Sequence, residues 1–217
     1  ATAAEHKADL DASSEKLLSD AKADAEAFDV PIETKTILSH RGLNEIFDAA
    51  RTNGADTVVM GYGGTRFTGG RAEGTLEELT HDLPCDFLVL DGQILDLSDV
   101  LVPTAGGPSS DLSAEVARAL RDALGIEVSL LHIVDAGEED EGGEFLEEWA
   151  KGHQLGDANL RIEAGEVETL IGDIGAEYSL VIIGATEHGL LSRIVRGSLV
   201  FGTIETLKTP VLLTERP

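Results

Sequence analysis

A shift of 123 residues lays this chain onto itself. It carries Gly42 onto Gly165 and Gly61 onto Gly184, so the two glycines stand 19 residues apart in each copy. The same shift carries Val58-Val59-Met60 onto Val181-Ile182-Ile183 and Gly74-Thr75 onto Gly197-Ser198. Self-similarity of this kind means that one supersecondary unit is built twice, and it restricts the fold more than any composition does. The join falls at residues 91–99, which gives a first unit over 1–95 and a second over 96–217. The second begins with a strand–helix–strand piece, "DVLVPTAGG" to "LHIVD", that has no counterpart ahead of Ala1. The first unit therefore reads as incomplete at its N-terminus, and a chain that opens without methionine reads as part of something longer.

The pattern along each copy alternates. Leu10, Leu17, Leu18, Ala21, Ala25 and Phe28 share one face of a helix of about seven turns that must end before Pro31. "IETKTILS" reads as a strand, "GLNEIFDAARTNGA" as a helix closed by Gly54, and "DTVVMG" as a buried strand. After a glycine-rich loop come the short helix "TLEELTHDL" and the buried strand "CDFLVLDG". The second copy reads as strand "DVLVP", helix "DLSAEVARALRDALG", strand "IEVSLLHIVD", an acidic loop and helix start over 137–148, strand "NLRIEAG", helix "EVETLIGDIGAEY", strand "SLVIIG", helix "SLVFGTIETLK" and strand "TPVLLTE". Strands alternating with helices predict an α/β fold of open parallel sheets with helices on both faces.

Charge excludes several functions. With 41 acidic against 16 basic side chains the formal net charge is −25, which repels nucleic acid and anionic membrane. Scarce lysine and acids spread over the whole length resemble proteins adapted to high intracellular salt, where the Debye length falls to about 3 Å at 1 M. A single cysteine, Cys85, excludes an internal disulfide, and its setting "LPCDFLVL" reads as a small buried hydrophobe. No apolar run approaches the ~20 residues that span a bilayer, so the reading is a soluble, cytoplasmic chain with no direct membrane contact. His132 sits on a strand and reads as packed or backbone-bonded. His81 and His188 have no partners at metal-ligand spacing, so no metal site is expected. Trp149 reads as the cap of a small hydrophobic patch.

In both copies a strand ends in glycine, a loop follows, and Gly-Thr or Gly-Ser opens a helix whose free N–H groups suit a phosphate or merely a capping hydroxyl. The spacing is Gly61-x2-Gly64-x9-Gly74-Thr75 in the first and Gly184-x2-Glu187-x9-Gly197-Ser198 in the second. It lacks the lysine before Ser or Thr that a Walker loop requires, and no metal-binding carboxylate or base accompanies it, so no enzyme is expected. Arg66, Arg71, Arg193 and Arg196 lie in these loops, as phosphate partners or solvated charges.

At these residues the chain resembles the universal stress protein family, whose nucleotide-binding members carry G-x2-G-x9-G-[S/T]. The resemblance covers nearly the whole chain as a tandem pair. It implies a Rossmann-like sheet of the adenine-nucleotide alpha hydrolase type in each unit, five-stranded when complete. ATP or AMP, with magnesium as an optional companion, would lie at the carboxyl ends of the strands, and two units would pair through their last strands as an intrachain pseudo-dimer or a homodimer. Carried over, Gly61, Gly64, Gly74 and Thr75 match the phosphate loop in full, and Gly184, Gly197 and Ser198 match it in the second copy, where Glu187 departs. Near the adenosine, Thr104 stands where ATP-binding members usually place an aspartate, with Gly106 and Val134 as its neighbours in the implied pocket. "LTHDLPCDFLVLD" followed by "DVLVPTAGGPSSDLSAEVARAL" resembles the paired cytoplasmic domains of amino-acid (cationic amino-acid) transporters of salt-loving archaea. The resemblance thus implies a nucleotide-sensing regulatory domain that binds weakly, tethered to a membrane transporter. A ligand-free interaction module and a free-standing stress protein are the alternatives.

Overall fold

Long apolar runs bounded by turns pair into sheets, and the described strands of this chain make one. The computed structural model describes residues 3–37, 43–61, 83–91, 96–184 and 209–217. These divide into two compact units, Ala1–Gly42 and Leu43–Pro217.

The first unit is helix α1 (Ala3–Ala27) and a segment that follows it. The helix ends in a Schellman motif: Val30 N–H donates to the Ala25 carbonyl at 2.8 Å and Asp29 N–H to that of Glu26 at 3.2 Å. Asp29 takes the left-handed conformation at φ 54°, and Pro31 prevents any continuation. Leu17 and Phe28, expected on a buried face, are exposed. The strand expected at "IETKTILS" is not formed over residues 32–37, and Ile32 and Ile37 are exposed. A strand exists only by pairing. The counterpart of this segment in the second copy pairs with Glu127–Val134, and the 123-residue shift carries those residues into α1, which is helical.

The second unit contains α2 (Leu43–Asn53), β1 (Thr57–Gly61), β2 (Asp86–Asp91), β3 (Asp99–Pro103), α3 (Pro108–Leu124), β4 (Glu127–Val134), α4 (Glu139–Gly152), β5 (Asn159–Ala164), α5 (Val167–Gly175), β6 (Leu180–Gly184) and β7 (Val211–Glu215). The strands form one sheet in the order β1-β2-β7-β6-β3-β4-β5. Successive side chains of one strand enter opposite cores, as the pleat dictates. Val181 and Ile183 join Phe47 of α2 and Ile171 and Ile174 of α5. Leu180 and Ile182 join Leu112, Ala114 and Ala117 of α3 and Leu146, Trp149 and Ala150 of α4. Phe47 meets Phe87 edge-on, with ring centroids 5.5 Å apart. The α/β expectation holds, with one correction: the parallel sheets merge into a single mixed one.

The merger has a specific cause. All pairs are parallel except β2 with β7, the last strands of the two repeats. Val89 faces Leu213, and Leu90 faces Leu212. Because the shift carries Val89 onto Leu212 and Leu90 onto Leu213, this register obeys a two-fold relation between the copies, the self-complementary geometry of an isologous contact.

A charge cluster closes this seam. The Arg216 guanidinium donates from Nε and Nη2 to Asp86 at 3.1 and 2.8 Å, and from Nη1 and Nη2 to Glu115 of α3 at 3.0 and 2.8 Å. The bonds hold the Glu115 carboxyl below its ordinary value. A depressed carboxylate contributes stability above its unfolded pKa, near 4.5, and loses it as pH falls through the folded value. Arg216→Ala leaves two half-buried carboxylates unpaired and is expected to cost about 1–3 kcal/mol near neutral pH. The loss should shrink as pH drops below 4.5, which urea titrations at several pH values would read out.

Candidate functional site

In an open α/β sheet ligands gather outside the carboxyl ends of the strands, where the strand order reverses. Here β3 leads outward to β4 and β5, whereas β6 leads the other way to β7, so the switch point lies between β3 and β6. Thr104 closes β3 and Gly184 closes β6.

The turn after β3 is made by residues 104–107. Thr104 is buried; its N–H donates to the Leu131 carbonyl at 2.8 Å and its Oγ1 accepts from the Gly106 N–H at 3.1 Å. The carbonyl of Thr104 accepts from His132 Nδ1 at 2.8 Å, which places the ring proton on that nitrogen. His132 is therefore backbone-bonded, as expected. Gly106 and Gly107 have φ of 83° and 91°, conformations a side chain would strain. Gly107 is the N-cap of α3, with no side-chain capping bond, and Pro108 opens the helix. A Cβ at Gly107 would meet no described atom within 4 Å.

Gly184 does something else. A Cβ on it would lie 2.7 Å from Ser109 C and 2.7 Å from Ser110 N, so the first turn of α3 rests directly on the end of β6. Hydroxyls fasten the contact: those of Ser113 and Thr214 lie 2.8 Å apart and 3.1 and 2.9 Å from the Ser109 carbonyl, so one donates to the carbonyl and the other to its hydroxyl neighbour. Ser109 and Ser113 escaped the sequence reading, although "PSSD" behind two glycines marks a helix start with small residues. Gly61, the counterpart of Gly184, has no described atom within 4 Å of its Cβ position.

The other wall is α4. A Cβ at Gly142 would lie 2.6 Å from Val134 Cγ1 and 3.1 Å from His132 Cδ2, so the helix sits close against the end of β4. Phe145, one turn on, has its Cζ 3.4 Å from the Cβ position of Gly106, and its ring lies 4.6 Å from that of His132 at a 45° tilt. Trp149 is a core residue rather than the cap of a small patch: its Nε1 donates to Asp111 of α3 at 3.1 Å, and its ring meets His153 at 4.5 Å. Cys85 is half-buried just before β2, and burial pushes its thiol up, away from the reactive thiolate.

Thus the structure brings Thr104, Gly106, Val134 and Gly184 to the ends of β3, β4 and β6, and places Gly61 at the end of β1. Gly64, Gly74, Thr75, Gly197 and Ser198 lie outside the described residues, as do Glu187, the four loop arginines, His81 and His188. Among the described residues no cluster could hold a metal ion, and no helix is long and apolar enough to cross a membrane.

Residues 1–91 match the Universal stress protein family. Solved structures extend the likeness of fold over the rest. A universal stress protein from Archaeoglobus fulgidus aligns with a TM-score of 0.64 at 17% identity, covering 100% of this chain and 81% of that one. The cytoplasmic domain of a prokaryotic cation chloride cotransporter aligns at 0.60 and 12% identity, over 92% of this chain and 80% of that one. A universal stress protein in complex with cAMP aligns over 54% of this chain and 94% of its own length, at 18% identity and a TM-score of 0.43. No curated protein matches the chain.

Proposed function

We propose that the chain is a tandem stress-protein module that binds an adenine nucleotide weakly, in the crevice between β3 and β6, and reports its presence to a membrane transporter. The observation that carries this reading is the turn over residues 104–107: two glycines at positive φ lead into a helix whose first N–H groups have no side-chain cap. Such a start favours anions, and no described atom lies within 4 Å of the Cβ position of Gly107, where a phosphate would approach. Thr104, Gly106 and Val134 would flank the nucleoside, and Gly197 and Ser198 the phosphates. Gly61, Gly64, Gly74 and Thr75 would serve as the phosphate loop of the first half, in the division into 1–95 and 96–217. Weakness follows from charge, because a net −25 opposes a polyanion unless magnesium and salt offset it. The likeness in fold to a cotransporter's cytoplasmic domain supports the transporter as partner. In this reading the module works by binding, without catalysis.

A second reading is a ligand-free assembly module. The two-fold β2–β7 seam and the use of Gly184 for helix packing favour it.

Calorimetric titration of ATP, ADP and AMP in molar KCl with magnesium separates the two. The nucleotide reading expects Kd values of roughly 10⁻⁴ M. Ser110→Asp, which suits a helix start but repels phosphate, should abolish binding to the second half, and Gly74→Glu should abolish any binding to the first. No heat with any of the three nucleotides would leave the assembly module.

A further inference from the structure

Phe145 occupies the base side of the crevice. Its ring covers Gly106 and leans on His132, at the carboxyl ends of β3 and β4 where the reading above places the nucleoside. It is half-buried at the margin of the core shared by α3 and α4, and its neighbours on α4 supply the helix's deeper contacts. Leu146 is wholly buried in the core, Trp149 is tied to Asp111, and Gly142 is pressed onto Val134 and His132. Rotation about the Phe145 side-chain bonds would therefore open the space while the helix stays seated. On the phosphate side no described atom lies within 4 Å of the Cβ position of Gly107.

We infer that Phe145 is a displaceable stopper that mimics a bound base: it closes the crevice to flat heteroaromatic rings and leaves the helix start accessible to phosphate. The occupant that displaces it is a planar nucleobase carrying phosphate, which makes this inference rest on the nucleotide reading above. A ligand that must first displace the ring binds with its affinity reduced by the fraction of molecules in which the ring is out.

Trp149 is the only tryptophan in the chain and stands one turn beyond Phe145 on α4, so its fluorescence reports events at this wall. The test titrates ATP, and inorganic tripolyphosphate as a probe without a base, into the wild type, Phe145→Ala and Phe145→Leu in molar KCl. An open fraction near one in ten predicts that Phe145→Ala tightens ATP about tenfold and leaves tripolyphosphate unchanged. Phe145→Leu, which keeps the core apolar should the alanine variant fail to fold, should tighten ATP by a smaller factor, about threefold. Equal ATP affinity in wild type and variants overturns the stopper while the nucleotide reading stands. Equal tightening of ATP and tripolyphosphate also overturns it, because the gain would not depend on a base. Absence of ATP binding in all three proteins overturns both.

Discussion

Gly184→Ala lowers the melting temperature by about 3–10 °C, and Gly61→Ala leaves it nearly unchanged. The two glycines are equivalent by the repeat, and composition would treat them alike. Their surroundings differ. The added methyl at Gly184 would stand 2.7 Å from backbone atoms of Ser109 and Ser110, which cannot turn aside as a flexible side chain would. Either α3 lifts from β6 or the strand end shifts, and both loosen the Ser113–Thr214 bond beneath. Overpacking of this kind costs about 1–3 kcal/mol, and each kcal/mol moves the melting point of a domain this size by about 2–4 °C. At Gly61 φ is not positive, and a methyl group meets no described atom within 4 Å. Paired thermal unfolding curves of the two variants check this, and equal losses would mean that both glycines answer to chain geometry alone.

Salt should matter nearly as much. Forty-one acids against 16 bases repel one another in the folded state more than in the expanded one. Helix α4 concentrates the problem: it carries six acids and one base, Lys151, which pairs with Glu147 on an exposed face, where a pair is worth little. Raising KCl from 0.05 to 2 M is expected to stabilise the fold by about 3 kcal/mol, or about 10 °C, with most of the gain below about 0.5 M as the screening length contracts. Screening ignores the identity of the anion. A rise that continued linearly past 1 M and grew on replacing chloride by sulfate would instead report strengthened apolar burial. A melting point independent of salt would contradict the electrostatic account.

Local chemistry was legible wherever the signal was local. The continuous apolar runs in "SLVIIG" and "DVLVP" announced strands buried on both faces, and the Gly125 C-cap at φ 69° ends α3 where "ALG" indicated. Pairing of the units through their last strands, as β2 pairs with β7, was implied by the family resemblance and was not legible in the residues themselves. Contacts that join distant parts of the chain were invisible. Nothing in "FLEEW" says that its phenylalanine will cover Gly106, 39 positions earlier, and nothing at the C-terminus says that Arg216 will bind Asp86. The expected strand over residues 32–37 failed for the same reason in reverse: its own residues favour extension, but a ladder needs a neighbour. Gly184 shows how one residue type serves two purposes, since the close approach expected of a phosphate is made by the start of a helix.

Amide hydrogen exchange measured with and without millimolar Mg-ATP in molar KCl tests the switch-point site most directly. Slower exchange at residues 104–110 and in α4 around Phe145, together with the phosphate loops proposed above, is the predicted result. Exchange unaltered there, whether or not other segments respond, would contradict the assignment of this crevice as the nucleotide site.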